Sequence, residues 1–140
     1  MKKRLIVIAA VIVIAVITVL LLAPRIIGKK PFKNIQASDI DAATAHLYPP
    51  DTVIQIDDLD TFAGLLRELV IYQRKEPSYP PPAGAEVVFT LYLSDGSQME
   101  ISEDNTFLEI DGVSYRVKYA PSEALQSFAY GLLYQQQTNN

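Results

Sequence analysis

The sequence predicts an α+β domain carried behind an N-terminal transmembrane helix. Three observations lead to this prediction: one long apolar segment at the start of the chain, two segments with apolar residues spaced three and four apart, and several short alternating segments separated by turn residues. Because the last four alternating segments are joined by short connections, they must form antiparallel strands. We expect two helices on one face of an antiparallel sheet, built from a hairpin and a four-strand meander.

The apolar segment covers residues 5–23, in which Thr18 is the only polar residue. As a helix it would be roughly 28 Å long, which matches the hydrocarbon core of a bilayer. A cleavable signal peptide, the alternative, has a shorter apolar region that ends in small residues, whereas leucines precede Ala23 and Pro24 follows it. We therefore predict an uncleaved single-pass membrane anchor, with residues 1–30 as the anchor and its basic flanks.

Basic residues flank the apolar segment on both sides, three before it and four between residues 25 and 33. Their number therefore does not decide the orientation under the positive-inside rule. A short basic segment that runs directly into the apolar helix is typical of export-dependent anchors. We expect the N terminus inside and the rest of the chain outside, which gives a cell-membrane location with an extracytoplasmic domain.

The chain after Lys33 is strongly acidic, with five Lys and Arg residues against all 16 Asp and Glu residues, a formal charge of −11. Proteins that bind duplex nucleic acid neutralise phosphates with Lys and Arg, so we expect no nucleic-acid partner. The length suffices for one small domain with one core, which we assign to residues 31–134. The polar residues 135–140 are expected to fray.

The strands are predicted from alternation and turn residues. Two segments joined by Pro49 and Pro50 form the first hairpin, residues 40–47 and 52–56. The meander consists of residues 86–94, 98–102, 106–110 and 113–119. Two of its turns contain Asp-Gly, the strongest short hairpin signal, because both central residues of a type I′ turn need positive φ. In the last strand, alternating residues are expected to share one face: Val113, Tyr115, Val117 and Tyr119.

The two helices are predicted from apolar stripes. The first follows a group of carboxylates and buries Phe62, Leu65, Leu66 and Leu69. In the second helix Pro121 takes the first helical position, where its missing N–H costs nothing. Its inner stripe consists of Leu125, Phe128, Ala129 and Leu132.

Two acidic groups permit more than one interpretation. The carboxylates of residues 57–60 are expected to cap the first helix, and the alternatives are calcium ligands or a general-acid pair. We favour capping because the spaced pattern of a calcium loop is absent. Residues 103–105 are expected to form a solvated hairpin turn, with a weak cation site as the alternative. Neither group predicts a metal site.

The chain contains no cysteine and one histidine, His46, which we interpret as an ordinary side chain near the end of a strand. A disulfide, a cysteine-based metal site and a lipid-modified cysteine are therefore impossible. The usual nucleophile, zinc-protease, P-loop and dinucleotide motifs are absent. We expect a protein that is not an enzyme and that binds no cofactor.

Arg116 and Lys118 are two of the five cations that follow the anchor, and both should point away from the apolar face of one strand. Cross-strand pairing with glutamates is one interpretation. The other is a shallow site for an anionic ligand or partner, completed by Tyr92.

A proline-rich segment lies between the first helix and the meander. It contains Tyr79, Pro80, Pro81 and Pro82. Such a segment favours polyproline II geometry and is usually a stiff spacer. The alternative is a ligand for the aromatic groove of a partner protein.

Several segments are similar to a family of small membrane-anchored proteins from Gram-positive bacteria, a domain of unknown function. They are Val70-Ile71-Tyr72, Ser78-Tyr79, Phe89-Thr90, Ser94-Asp95-Gly96, residues 107–115 and residues 118–125. The resemblance covers most of the chain after the anchor and implies an envelope location and a single domain. Cysteine is frequent in that family at the place of Ser122, so any role of that thiol would not carry over. The resemblance implies no active residues.

Two functions are consistent with these observations. The first is an extracytoplasmic, non-enzymatic module that binds another envelope or membrane protein. The second is a sensor domain at the membrane surface that binds a small ligand or a cation.

Overall fold

The computed structural model describes residues 2–74 and 85–138. The helices of this part of the chain are α1 (Lys2–Ile27), α2 (Leu59–Glu68) and α3 (Tyr119–Thr138), with a 3-10 turn at Ala37–Asp39. The strands are β1 (Ile40–Tyr48), β2 (Thr52–Gln55), β3 (Ile71–Arg74), β4 (Glu86–Leu93), β5 (Gln98–Glu103), β6 (Phe107–Ile110) and β7 (Val113–Val117). The α+β fold class is confirmed.

The seven described strands form one antiparallel sheet in the order β2-β1-β4-β5-β6-β7-β3. The predicted hairpin and meander are parts of this single sheet, because β1 pairs with β4 over most of its length. Strand β3 is not among the predicted strands. It pairs at the far edge with β7, where Ile71 lies opposite Val117.

Helices α2 and α3 pack on one face of the sheet and enclose the core. Phe62 of α2 is fully buried and contacts Phe89 of β4 and Phe128 of α3, with ring centroids 5.4 Å and 6.2 Å apart. Helix α2 buries Ala63 and Leu66 beside Phe62, whereas the predicted core residue Leu65 is only half-buried. The core residues of the strands alternate with residues that point to the opposite face.

The start of α2 confirms the capping interpretation of the acidic group before it. The Asp58 carboxylate accepts hydrogen bonds from Thr61 N at 3.0 Å and from Thr61 Oγ1 at 2.6 Å. These bonds hold the pKa of Asp58 below its ordinary value, and the hydroxyl of Thr61 contributes more than its backbone N–H. Asp58 therefore satisfies one of the free N–H groups of the first turn.

Helix α3 begins two residues earlier than predicted. Strand β7 ends at Val117, so Tyr119 belongs to the helix instead of the apolar strand face, and its hydroxyl donates to Glu123 at 3.1 Å. Pro121 is the third helical residue rather than the first. It remains compatible with the helix because N–H groups of the first turn have no partner within the helix. The helix continues to Thr138, through most of the polar end of the chain.

The two Asp-Gly turns differ. Asp111 and Gly112 both have positive φ, 47° and 80°, as the predicted type I′ turn requires. In the turn after β4 only Gly96 has positive φ, 85°. The Asp95 carboxylate there accepts a hydrogen bond from Ser97 N at 2.8 Å, which stabilises a wider turn.

Within the described residues, α1 is the one helix long and apolar enough to cross a membrane, over Lys3–Ala23. The side chains of residues 3–22 are exposed. Thr18 Oγ1 donates to Ile14 O at 2.8 Å, so the single polar side chain of the apolar segment is satisfied. A membrane anchor and a signal sequence both have these properties.

The chain passes from α1 directly into the domain. Lys29 and Ile71 form a β-bridge, in which each N–H donates to the other carbonyl at 2.7 Å and 2.8 Å. Lys30 forms an ion pair of 2.8 Å with Glu68, and Phe32 is buried in the core. We call residues 28–32 the junction. The junction fixes the end of α1 on the edge of the sheet.

Candidate functional site

The face of the sheet opposite α2 and α3 carries a mixed polar surface, which we call the open face. It is formed by the residues that alternate with the core residues in β1, β4, β5, β6 and β7. One row across these strands consists of His46, Val88, Ser102, Glu109 and Ser114. No helix of residues 2–74 and 85–138 packs on this face.

Carboxylates dominate the charge of the open face. Glu86, Glu100 and Glu109 lie on it, and Arg116 is the cation at its β7 side. Ser114 Oγ donates to Glu109 at 2.8 Å, so this carboxylate is held against the sheet. Such a surface complements a basic partner.

His46 joins two side chains in a hydrogen-bonded chain at one end of the open face. Its Nε2 lies 2.8 Å from Asp51 Oδ1, and its Nδ1 lies 2.7 Å from the hydroxyl of Tyr48. The rings of His46 and Tyr48 are also in contact, with centroids 4.0 Å apart. Asp51 N donates to Leu47 O at 2.8 Å in the same turn. The contacts of His46 therefore hold the hairpin between β1 and β2 closed.

The structure does not bring the predicted surface residues together. Arg116 lies on β7 and Tyr92 on β4, three strands away in the sheet order, which is a lateral distance of roughly 14 Å. Lys118 follows the end of β7 instead of lying in the strand, and its N–H donates to Val70 O. Among the described residues neither Arg116 nor Lys118 has the expected glutamate partner within 4.0 Å. A single site of these three side chains is therefore not formed.

The other predicted surface lies in the proline-rich segment. Tyr79, Pro80, Pro81 and Pro82 fall outside the described residues. The interpretation of this segment as a partner ligand remains a prediction.

Glu103 is buried, contrary to the expectation of a solvated turn at residues 103–105. It is the last residue of β5, and its side chain points into the core, on the same face as Ile101. The residue is 1 % exposed. Only the turn after it is accessible, where Asp104 Oδ1 accepts hydrogen bonds from Thr106 N and Phe107 N at 2.8 Å and 2.6 Å.

Two hydrogen-bond donors contact the Glu103 carboxyl, and a third residue of α3 extends the cluster. Its Oε1 accepts hydrogen bonds from Ser122 Oγ of α3 and, at 2.7 Å, from Asn105 N of the turn. Asn105 Nδ2 in turn donates to Gln126 Oε1 of α3 at 2.5 Å. Glu103 Oε2 and Asn105 Oδ1 are buried and have no hydrogen-bond partner among the described residues. The cluster thus connects the end of β5 to the first two turns of α3.

Burial raises the pKa of Glu103 from 4.5 to about 7, and the negative charge of Asp104 acts in the same direction. The hydrogen bonds from Ser122 and Asn105 N oppose this shift, because they stabilise the ionised form. The carboxyl therefore changes its charge near neutral pH, where an ordinary glutamate is fully ionised.

The polar composition of residues 103–105 indicates solvent exposure, so it does not reveal this cluster. The signal that could have found it is the period of two in β5, which places Met99, Ile101 and Glu103 on one face. Ser122 gave a second signal, because it lies three residues before Leu125 and so belongs to the inner stripe of α3.

A groove of about 800 Å³ lies beside the junction, between residues 33–38 and α2. Lys33, Asp60 and Arg67 line it, and Arg67 donates to Ile35 O at 3.0 Å. Small-molecule sites are concave and largely apolar, whereas this groove is open and polar. Within the described residues, no group of three or more His, Cys, Asp or Glu side chains is placed to hold a metal ion.

No protein-family model matches the chain, and neither a curated protein nor a solved structure matches it.

Proposed function

We propose that this chain is a membrane-anchored, extracytoplasmic, non-enzymatic module that binds a basic segment of another envelope or membrane protein through the open face. The observation that carries the proposal is the placement of both α2 and α3 on one side of the sheet. The central strands therefore offer a rigid surface for a partner on the other side.

The charge of the open face supports the choice of partner. Among the side chains that the structure describes, this face carries the carboxylates of Glu86, Glu100 and Glu109 and one cation, Arg116. The overall charge of the domain is also strongly negative. Electrostatic complementarity of this kind directs the encounter with a Lys- and Arg-rich segment and disfavours acidic partners. The junction supports the proposal further, because a domain fixed to its anchor presents this face in a constant orientation.

The proposal is tested by photo-crosslinking in intact membranes. A photoreactive amino acid at Thr90, in the middle of the open face, is expected to give a crosslinked product whose partner peptide is rich in Lys and Arg by mass spectrometry. The same group at Ser127, exposed on α3, is the control for position and is expected to give no such product. Crosslinks to a second copy of this chain, or equal products from both positions, would contradict the proposed partner.

Charge reversal tests the electrostatic part separately. The double variant E100K/E109K is expected to reduce the Thr90 crosslink at least several-fold, because it removes the complementarity to a basic segment. E123K carries a single charge reversal on exposed α3 and is expected to leave the yield unchanged. If the yield of the Thr90 crosslink stayed the same in E100K/E109K, selection of the partner by its charge would be excluded.

The proposed orientation has its own test. Protease added to intact cells is expected to remove a C-terminal epitope, because the domain is proposed to lie outside. Lysed cells provide the control for protease access. Protection of the epitope until lysis would place the domain on the cytoplasmic side.

A further inference from the structure

Glu103 lies where β5, the following turn and α3 meet, and its two oxygens have different surroundings. Oε1 accepts two hydrogen bonds, from Ser122 Oγ and Asn105 N. Oε2 is buried and has no donor among the described residues. A buried carboxylate oxygen without a donor is costly when it carries charge, whereas a protonated oxygen removes most of this cost.

We propose that Glu103 is a proton-binding site that controls the docking of α3 on the sheet. With a proton on Oε2, the carboxyl is neutral and still accepts the hydrogen bond of Ser122 through Oε1. When the proton leaves, a negative charge remains inside the contact between β5 and α3. Hydration of this charge requires water to enter, which loosens the first two turns of α3.

Among the charged groups of the described residues, Asp104 acts on Glu103. It is negative and disfavours ionisation of its neighbour. On α3, Glu123 is exposed and accepts from the Tyr119 hydroxyl. On β4, Glu86 interacts with Ser102 on the open face. Among the described residues, no Lys or Arg lies within 4.0 Å of Glu103.

The apolar neighbours act in the same direction. In the sheet Glu103 lies between Val87 of β4 and Leu108 of β6, both fully buried. Their side chains cannot solvate a charge, so among the described residues it is the Ser122 hydroxyl and the Asn105 N–H that stabilise the ionised form. The pKa of about 7 agrees with this geometry.

The sign of the pH effect follows from linkage. Because the pKa of Glu103 is higher in the folded protein than the ordinary value of 4.5, the folded form binds the proton more tightly than the unfolded form. The stabilisation is complete below about pH 4.5 and is lost as the pH rises toward about 7. Docked α3 is therefore favoured by acid, and its opening is favoured above neutral pH. This inference does not depend on the proposed partner of the open face.

Hydrogen exchange of the full chain in lipid nanodiscs tests the proposal. After correction for intrinsic exchange, the protection factors of the amides of residues 122–130 are expected to fall roughly 70-fold between pH 5 and pH 8. This factor follows from linkage between a pKa of 4.5 for Glu103 in the open form and a pKa of about 7 in the docked form. The E103Q variant is isosteric and uncharged, so its protection is expected to be the same at both pH values. E103M is the second neutral variant if the amide is poorly tolerated in the cluster.

Two controls separate this effect from other titrations. E123Q removes a carboxyl of α3 that is exposed, and it is expected to keep the pH dependence of the natural chain. H46Q removes the only histidine of the chain, and it too is expected to keep the pH dependence. Equal protection of α3 at pH 5 and pH 8 in the natural chain would overturn the proposal. So would an unchanged pH dependence in both E103Q and E103M.

Discussion

Replacement of Phe62 with alanine is expected to lower the free energy of unfolding by about 4 kcal/mol. Phe62 is fully buried and is the point where three elements meet, since its ring contacts Phe89 of β4 and Phe128 of α3. Its removal leaves a cavity between two helices and the sheet, and the surrounding elements can fill such a cavity only in part. Because a small domain is stable by roughly 5–15 kcal/mol, the variant should lose a large part of its stability.

Urea unfolding of the full chain in detergent, followed by tyrosine fluorescence, measures this loss. The chain has eight tyrosines and no tryptophan, so this signal is available in every variant. Y134A is the matched control, because Tyr134 is an aromatic residue of α3 that is 69 % exposed. Its effect is expected to stay within about 0.5 kcal/mol. Similar effects of the two substitutions would contradict the assignment of Phe62 to the centre of the core.

The elements that the sequence predicted well are those whose signal is local. The spacing of Phe62 and Leu66 defines α2, the carboxylate of Asp58 marks its start, and Asp111-Gly112 defines a hairpin by its backbone requirement alone. Each of these signals lies within a few residues of the feature that it predicts. Tertiary contacts do not have to be known for any of them.

The elements that the sequence did not predict depend on distant partners. Strand β3 has only four residues, and it forms because β7 supplies hydrogen bonds from a segment more than 40 residues further along the chain. Distant contacts also explain why the structure does not bring Arg116, Lys118 and Tyr92 together in one site. Neighbouring strands of a meander place their residues beside each other, but Tyr92 and Arg116 lie on strands separated by β5 and β6.

The burial of Glu103 shows that composition and periodicity can disagree at the end of a strand. Asp104 and Asn105 indicate a solvated turn, which is correct for the turn itself. The alternation from Ile101 places the Glu103 side chain on the core face, and α3 then covers it with Ser122. The position of α3 could not be derived from β5, so the sequence alone could not show that a polar partner lies there.

Replacement of Gly28 with alanine is expected to destabilise the junction by about 2 kcal/mol, because the substitution has two unfavourable effects. Gly28 has φ of 75°, where residues other than glycine are strained by roughly 1 kcal/mol. In addition, a Cβ atom at this position would lie 2.5 Å from Val70 Cγ1 and 3.0 Å from the ring of Tyr72. Neither neighbour can move freely, since both follow α2 directly at the edge of the sheet.

The expected result is a loss of the β-bridge while the core remains folded. Ile71 N donates to Lys29 O at 2.8 Å, so in G28A the Ile71 amide should exchange roughly 30-fold faster, whereas the amides of β4 should be unaffected. G96A is the matched control, because Gly96 also has positive φ, 85°, but a Cβ there would meet nothing within 4 Å. If G96A changed Ile71 exchange as much as G28A, the contacts of Gly28 would not be what holds α1 to the domain. If only G28A does so, the close packing of this glycine fixes the domain to α1. We then expect G28A to weaken the proposed Thr90 crosslink as well, because binding through the open face would need a constant orientation of the domain.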